Sequence, residues 1–333
     1  MDYIKISIFF IVISFIGCSA QTSDDVYQNL EKYYPSAKYL AAIGQGDTRR
    51  EAEKNAMAKL SLIFESRINV NQTLNEHYTE FSDDESSSLK YESETQKRTN
   101  VQSDQKLLNV KFGKSGTDEL GNYFVVAYID RRETGYIYDE KVQDNHSVIL
   151  ALAEKAKTVD SKIKKYALLN RASRLMNENV ELMKQLAIIA PHNPDYEDKL
   201  ATYESIYRQK GEVASQIKFT IVDSSKGDVK NELTSLITSK GFKVGNNGDF
   251  IVTSTLYYEN VDLGRKEVFY NWFMNIEMKN YNDEIIFNFE KKGREGGISE
   301  SAVYQRAKFA ANKALKKYFI KGFDKYLNSL IGN

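Results

Sequence analysis

The stretch "SAKYLAAIGQGDTRREAEKNAMAKLSLIFESRI", residues 36–68, decides the fold of the first part of the chain. Its apolar beginning, residues 39–43, predicts a strand, and the Gly-Gln-Gly that follows predicts a turn. Asp47 or Thr48 then stands where a helix N-cap is expected. Small and apolar residues recur after it at helical spacing, namely Ala52, Ala56, Lys59 or Leu60, and Ile63. Because small side chains let a helix lie close to a sheet, the stretch predicts an α/β layer.

Two more strands and a second helix are predicted downstream. Leu108, Val110 and Phe112 alternate with other residues, "GKSGTDELG" predicts a turn, and "NYFVVAYID" predicts the next strand. Asp130 and Glu133 then have the spacing of a capping box at the start of a helix. The first domain therefore has the predicted order β-α-β-β-α, or one close to it, and an antiparallel sheet.

The segment between these strands, residues 79–106, is rich in Ser, Asp and Glu and poor in core-type residues. Either it is a mobile loop, or it is the exposed tip of a long hairpin with arms near residues 66–76 and 107–113. A functional interpretation would make Asp83, Asp84 and Glu85 metal ligands, but no oxygen-rich turn with a fixed glycine accompanies them. We therefore interpret these acids as part of a solvated loop.

The opening stretch and the strand that ends in Asp130 resemble the LPP-twenty family of bacterial lipoproteins, which is also seen in the N-terminal domain of flagellar assembly protein T. The family pattern is an alanine-glycine strand, an "R–EAE–A–A–L" helix and a strand that ends in Asp-Arg. The matching positions are Gly44, Gly46, Arg50, Glu51, Ala52, Ala56, Leu60, Asp130 and Arg131. The resemblance covers about residues 36–140. It implies a surface or periplasmic lipoprotein, sometimes linked to motility, with no catalytic residues to carry over.

The rest of the chain predicts helices followed by a second sheet. Helical periodicity in residues 141–215 predicts a helical hairpin or a small three-helix insertion. From residue 216 onward the predicted order is β-α-β-β-β-α, with strict alternation between Val268 and Met278. We therefore predict an α+β protein with two antiparallel-sheet domains, 36–140 and 216–333, each backed by helices and joined by the helical connector.

The chain begins with a stretch typical of a secretory signal. "MDYIKISIFFIVISFIG", residues 1–17, combines a charged start, an apolar core and a small final residue. It is too short to span a bilayer, which needs roughly 20 apolar residues. We predict a signal peptide at 1–17 and a tether at 18–35.

The only cysteine of the chain, Cys18, follows this signal directly. The quartet Phe15-Ile16-Gly17-Cys18 resembles the bacterial lipobox, although most lipoboxes carry leucine where Phe15 stands. The resemblance implies a diacylglyceryl thioether on Cys18, with acyl chains such as palmitate. The alternative is a buried free cysteine at the end of an ordinary signal. We predict lipidation at Cys18, because a secreted protein rarely keeps an unpaired thiol.

Charge and cysteine content narrow the classes of function. Lys plus Arg and Asp plus Glu are balanced at 46 each, so no long-range field favours nucleic acid or an acidic membrane face. With no cysteine after residue 18, disulfides are impossible, and each domain must be held by its apolar core. No later segment is apolar for long enough to cross a membrane.

Catalytic and cofactor patterns are weak. The Gly-Gln-Gly turn lacks the third glycine of a dinucleotide fingerprint, since Arg49 stands in its place. "GREGGISESAVYQRA" lacks the lysine-serine pair of a phosphate-binding loop, so we interpret it as a plain loop. His77, His146 and His192 have no ligand-type spacing, which argues against zinc. The acidic residues offer many pairs for glycosyl transfer, whose separation a sequence does not give.

We therefore expect a non-enzymatic, lipid-anchored protein of the bacterial cell envelope, at the outer membrane and in the periplasm, with no cofactor, metal or nucleic-acid partner. It is expected to reach the membrane through its N-terminal lipid and to bind a protein or the cell wall. The alternative within this class is a motility or flagellar accessory. The competing class is a cell-wall hydrolase, which a cleft with two close acids of raised pKa would favour. A featureless cleft beside an exposed apolar patch would favour the binding module.

Overall fold

The structure is a computed structural model that describes residues 26, 29–68, 107–118, 120–191, 196–225, 229–264 and 266–332. The predicted α+β class is confirmed, because the described strands form an antiparallel sheet of three strands and a mixed sheet of five, with two parallel and two antiparallel strand pairs. The described residues fall into two compact units. The first contains those up to Ile63 and those from 107 to Arg131, and the second contains residues 64–68 and those from Arg132 onward.

The first unit is a sheet with helical segments on both faces. It contains helix α1 (Leu30–Tyr33), strand β1 (Tyr39–Gly46), most of helix α2 (Arg49–Ile68), strand β2 (Lys111–Thr117) and strand β3 (Tyr123–Asp130). Strand β3 lies between β1 and β2 and pairs antiparallel with both, as predicted. One sheet face packs on α2, and the other contributes Ile43, Phe124 and Val126 to a core with Val26.

Strand β1 continues through the Gly-Gln-Gly, where the sequence predicted a turn. A Cβ atom at Gly44 would overlap the backbone of Ala52 and Ala56 in α2. Glycine is needed at this position because the helix lies directly on the strand, and not because the chain reverses there. The chain turns at Asp47 and Thr48, and the Thr48 Oγ1 accepts a hydrogen bond from the Glu51 amide at 3.2 Å, as an N-cap does.

Strand β2 lies later in the sequence than the predicted alternation at 108–112. It occupies most of the stretch interpreted as a turn and carries a bulge between Phe112 and Ser115. As an outer strand of the described sheet it accepts glycine and polar residues, so its sequence lacks a strong apolar pattern. The reversal follows at Asp118, whose Oδ1 accepts the Asn122 amide at 2.8 Å.

The second unit begins with three helices, which settles the choice between a hairpin and a three-helix arrangement. They are α3 (Arg131–Thr158), α4 (Lys162–Ile189) and α5 (Glu197–Ala214). Helix α3 begins directly after Asp130, where the capping box was predicted. The Tyr138 hydroxyl of α3 donates to Gln185 Oε1 of α4 at 2.6 Å, and both side chains are buried.

The five-stranded sheet follows these helices in the second unit. Its elements are β4 (Lys218–Asp223), α6 (Lys230–Thr238), β5 (Lys243–Val244), β6 (Phe250–Val261), β7 (Val268–Asn280), β8 (Ile285–Gly297) and α7 (Glu300–Ile331). The strand order is β5-β4-β6-β7-β8. Strand β4 is parallel to β5 and β6, unlike the other pairs, because the α6 crossover returns the chain in the same direction.

Strand β8 includes the "GREGG" that the sequence interpretation assigned to a loop. A Cβ atom at Gly293 would lie 2.6 Å from Trp272 Nε1, and one at Gly296 would lie 2.6 Å from a ring carbon of Phe269. These glycines are therefore strand residues over which aromatic rings of β7 lie.

One apolar core joins this sheet to helices α4, α6 and α7. Tyr166 of α4 belongs to it, and its ring centroid lies 4.5 Å from that of Phe242. Helix α4 thus packs with the sheet although the sequence placed it in a separate connector; the predicted boundaries of the connector stay a prediction. None of the helices in the described part of the chain has the length and apolar character that a membrane crossing requires.

Candidate binding surface

Three neighbouring strands of the five-stranded sheet present six side chains on the face opposite the core. The strand register aligns them in two rows across β6, β7 and β8. The polar row is Thr255, Asn275 and Glu290, and the second row is Tyr257, Phe273 and Lys292. We call these six residues the β6–β8 array. They line a groove of about 410 Å³, to which Met274 and Lys291 also contribute.

The array is built around an aromatic pair. The Tyr257 and Phe273 rings are stacked, with centroids 4.9 Å apart and an interplanar angle of 16°. Tyr257 nevertheless remains 54% exposed, and Ile251 and Val222, on the same face, are 38% and 50% exposed. Exposed aromatic and aliphatic side chains on one sheet face are a common feature of binding surfaces.

The alternation of β7 explains why the array faces outward. Trp272, Met274 and Ile276 are buried in the core, so the residues between them must face the other side of the sheet. The alternation along β7 predicts the buried set but not the array. The alternating Thr253, Thr255 and Tyr257 of β6 contained the missing signal, since they place two hydroxyls and one aromatic ring on a single face.

The groove offers little for acid–base chemistry. Among its lining residues, Glu290 alone carries a carboxylate. A glycosidase ordinarily needs two, one as the acid and one as the nucleophile or base. What the groove provides instead is one aromatic platform, hydroxyl and amide groups, one negative charge and two positive charges, which together suit non-covalent recognition.

A second polar cluster lies at the end of β4 and has a structural explanation. Asp223 Oδ1 accepts hydrogen bonds from the Ser225 amide at 3.0 Å and the Ser254 hydroxyl at 2.7 Å, and from the Ser225 hydroxyl. Its Oδ2 accepts the Lys230 amide, at the start of α6, at 3.2 Å. Burial alone would raise the pKa of Asp223, but these hydrogen bonds outweigh it and hold the pKa below its usual value. The carboxylate ties the β4–α6 turn to β6.

His146 lies inside the three-helix region and not at the array. Its Nδ1 is 3.2 Å from the Tyr203 hydroxyl, which also accepts the Asn179 amide at 2.7 Å. Asn179 donates in addition to the Val142 carbonyl at 3.0 Å. These contacts link α3, α4 and α5, so His146 has a structural role in this arrangement.

Several residues considered from the sequence lie outside the described residues. They are Cys18, His77, Asp83, Asp84, Glu85 and His192, together with segment 79–106. Within the described ranges, no group of three or more His, Cys, Asp and Glu side chains could hold a metal ion.

Comparison with known proteins gives similarities among solved structures only. No protein-family model matches the chain, and no curated protein matches it. A secreted protein of Helicobacter pylori is 14% identical with a TM-score of 0.42, over 84% of this chain and 96% of that one. A minor lipoprotein of Acinetobacter baumannii is 12% identical (TM-score 0.26; 34% of this chain, 94% of that one). A lipoprotein of Neisseria meningitidis is 9% identical (TM-score 0.21; 29% and 97%).

The matched structures are those of a secreted protein and of two lipoproteins. At these identities and TM-scores they assign no function to this chain. The resemblance to the LPP-twenty family stays a prediction.

Proposed function

We propose that this protein is a non-enzymatic binding module of the bacterial cell envelope, held at the membrane by acyl chains on Cys18. The secretory signal at 1–17 and the lipobox-like quartet support export and acylation. Two or more acyl chains, palmitate among them, would anchor the protein stably, since each buried methylene contributes about 0.8 kcal/mol. Within the envelope we propose the periplasmic side of the outer membrane.

The observation that carries the binding role is the β6–β8 array. Its stacked Tyr257 and Phe273 offer apolar area that a partner can bury, and Asn275 and Glu290 offer directional hydrogen bonds beside it. Aromatic side chains surrounded by polar ones dominate the free energy of many interfaces. We propose a protein or the cell wall as the partner that covers this face.

The test compares partner capture by matched variants of the acylated chain. Tyr257→Ala and Phe273→Ala should each lose a partner that co-purifies from detergent extracts of the native envelope, or should lose binding to isolated cell wall. Tyr281→Ala is the control, because Tyr281 is 83% exposed in the β7–β8 turn and does not line the groove. If all three variants retain the same partners, the array is not the binding surface.

Anchoring is tested separately from partner binding. Cys18→Ser should no longer incorporate labelled fatty acid and should leave the membrane fraction in part or in full. Persistent labelling of this variant would refute acylation at Cys18. It would not affect the proposal that the β6–β8 array binds a partner.

A cell-wall hydrolase is the alternative from another class. The single carboxylate among the residues that line the groove supports the non-enzymatic proposal, because Glu290 has no second acid there to work with. Release of soluble wall fragments by the purified chain, abolished by Glu290→Gln, would instead establish the hydrolase. The motility role rests on the family resemblance.

A further inference from the structure

A cluster of tyrosines lies in the first unit, at the end of the sheet where β1 begins and β3 ends. The Tyr34 ring centroid is 5.7 Å from that of Tyr39 and 5.1 Å from that of Tyr128, and the latter two are 5.5 Å apart. Tyr33 precedes them in α1. The Tyr34 hydroxyl accepts the Lys114 amide at 2.8 Å, which fixes α1 to the bulge of β2.

Lysines border these rings. Lys114 Nζ lies 4.1 Å from the Tyr33 ring centroid, and Lys32 Nζ lies 5.3 Å from it. Lys38 Nζ lies 5.0 Å from the Tyr39 centroid. Lys111 pairs with Tyr128 in the sheet register. The tyrosine–lysine surface consists of Tyr33, Tyr34, Tyr39, Tyr128, Lys32, Lys38, Lys111 and Lys114.

The charge of this surface is predominantly positive, although the chain as a whole is balanced. Two acids lie beside it. Glu31 accepts hydrogen bonds from the Ser36 amide and hydroxyl, at 2.8 and 2.9 Å, and Asp130 is paired with Tyr39 in the register. Arg131 adds a further cation, with its Nε donating to the Ser36 carbonyl at 2.8 Å. A positive aromatic surface complements a negatively charged one.

The position of the surface in the chain indicates which negative surface it meets. Helix α1 begins twelve residues after Cys18. Twelve extended residues reach at most about 40 Å, so an acylated Cys18 would keep this surface within that distance of the bilayer. The amphipathic ring of tyrosine is favoured at the level of lipid headgroups, and lysine stems let ammonium groups reach phosphates.

We propose that the tyrosine–lysine surface docks on the anionic headgroups of the membrane in which the protein is anchored. This inference rests on the proposed acylation for its geometry, but the affinity of the surface for lipid is its own property. Each lysine near an anionic surface contributes about a fivefold gain in binding at low ionic strength. Docking would hold the first unit against the bilayer and fix its orientation there.

The experiment uses the mature chain from residue 18 with Cys18→Ser, which keeps every described residue and has no acyl chain. Binding is measured by co-sedimentation with vesicles of phosphatidylcholine, with or without phosphatidylglycerol. We expect at least about 25-fold tighter binding to the anionic vesicles at about 0.1 M salt, and loss of most of this difference at about 1 M salt, where screening is strong.

Two charge-matched variants separate the surface from general charge. Lys32→Gln with Lys38→Gln removes two exposed cations of the surface and should weaken binding about 25-fold at low ionic strength. Lys54→Gln with Lys59→Gln removes two exposed cations from α2, which covers the opposite sheet face, and should change binding less than about threefold. Unchanged melting temperatures confirm that both variants are folded.

Equal weakening by the two variants, or no preference for anionic vesicles, would overturn the proposal. Binding of inorganic phosphate or another soluble anion, without binding of anionic vesicles, would also overturn it. Failure of acylation has a different signature, because the native chain would then lack labelled fatty acid while the unacylated chain still binds anionic vesicles.

Discussion

Gly44 of β1 and Ala56 of α2 are packed so closely that no Cβ atom fits between the strand and the helix backbone. This contact fixes the distance between α2 and the three-stranded sheet. Gly44→Ala should therefore destabilise the first unit by about 1–3 kcal/mol, because the helix must move away from the strand. Urea denaturation followed by circular dichroism measures the change.

Gly211→Ala is the matched control and should have the opposite effect. Gly211 lies within α5, where an added Cβ would have no neighbour within 4 Å. Replacing an unstrained helical glycine by alanine stabilises by about 0.5–1 kcal/mol. If Gly44→Ala were as harmless as Gly211→Ala, the close contact between β1 and α2 would be wrong.

Asp223→Asn should destabilise the β4–α6 turn. The variant loses a carboxylate that accepts from Ser225, Ser254 and the Lys230 amide, and removal of such a cap typically costs about 1 kcal/mol. The folded-state pKa of Asp223 is lowered, so its contribution is present above the unfolded-state pKa of about 3.9 and is lost as the pH falls through the folded-state value. The stability difference between wild type and variant should shrink below about pH 3.9.

Denaturant titrations of both chains near neutral pH and in acid give this difference. Ser224, next to Ser225 in sequence, provides a control: its hydroxyl donates to the Ser254 carbonyl and not to Asp223. The difference in the free energy of unfolding between wild type and Ser224→Ala should therefore be the same in acid as near neutral pH. If Asp223→Asn destabilised the protein equally at every pH, the lowered folded-state pKa of Asp223 would be wrong.

A fragment that begins at residue 216 should fold less stably than one that begins at residue 132. The shorter fragment lacks α4, whose Ile163, Tyr166 and Ala167 belong to the core of the five-stranded sheet. Removing Tyr166 exposes Phe242, and losses of this size in a core cost about 3–5 kcal/mol. Thermal unfolding of both fragments tests this. Equal melting temperatures would show that the sheet does not depend on α4.

The sequence predicted the order of elements better than their ends, and the reason is visible at single residues. Val126 belongs to a continuous apolar run and Met274 to a strict alternation, and both lie in strands where expected. Gly44 was assigned to a turn because glycine there serves a tertiary contact that a local pattern does not contain. The parallel pairing of β4 depends on the crossover through α6. The array was missed because Tyr257 and Phe273 become neighbours only through the register of β6 and β7.

Acidification should destabilise the three-helix region formed by α3, α4 and α5. The Tyr203 oxygen accepts a hydrogen bond from Asn179 and lies 3.2 Å from His146 Nδ1, to which the hydroxyl donates when the imidazole is neutral with its proton on Nε2. Burial, and to a smaller degree the positive charge of Lys199, lowers the pKa of His146, while burial raises the pKa of Tyr203 to about 12. The hydroxyl thus remains a donor throughout the physiological range.

Because the folded-state pKa of His146 is lowered, its contribution to stability is present above the unfolded-state pKa of about 6.5 and is lost as the pH falls through the folded-state value. Amide hydrogen exchange in α3, α4 and α5 should therefore accelerate as the pH falls below about 6.5, after correction for the intrinsic rate. His146→Gln should remove this dependence. Tyr203→Phe should instead weaken the region at every pH, by about 1–3 kcal/mol, since buried Asn179 loses an acceptor. An unchanged pH dependence in His146→Gln would assign the titration to another group and refute the role of this histidine.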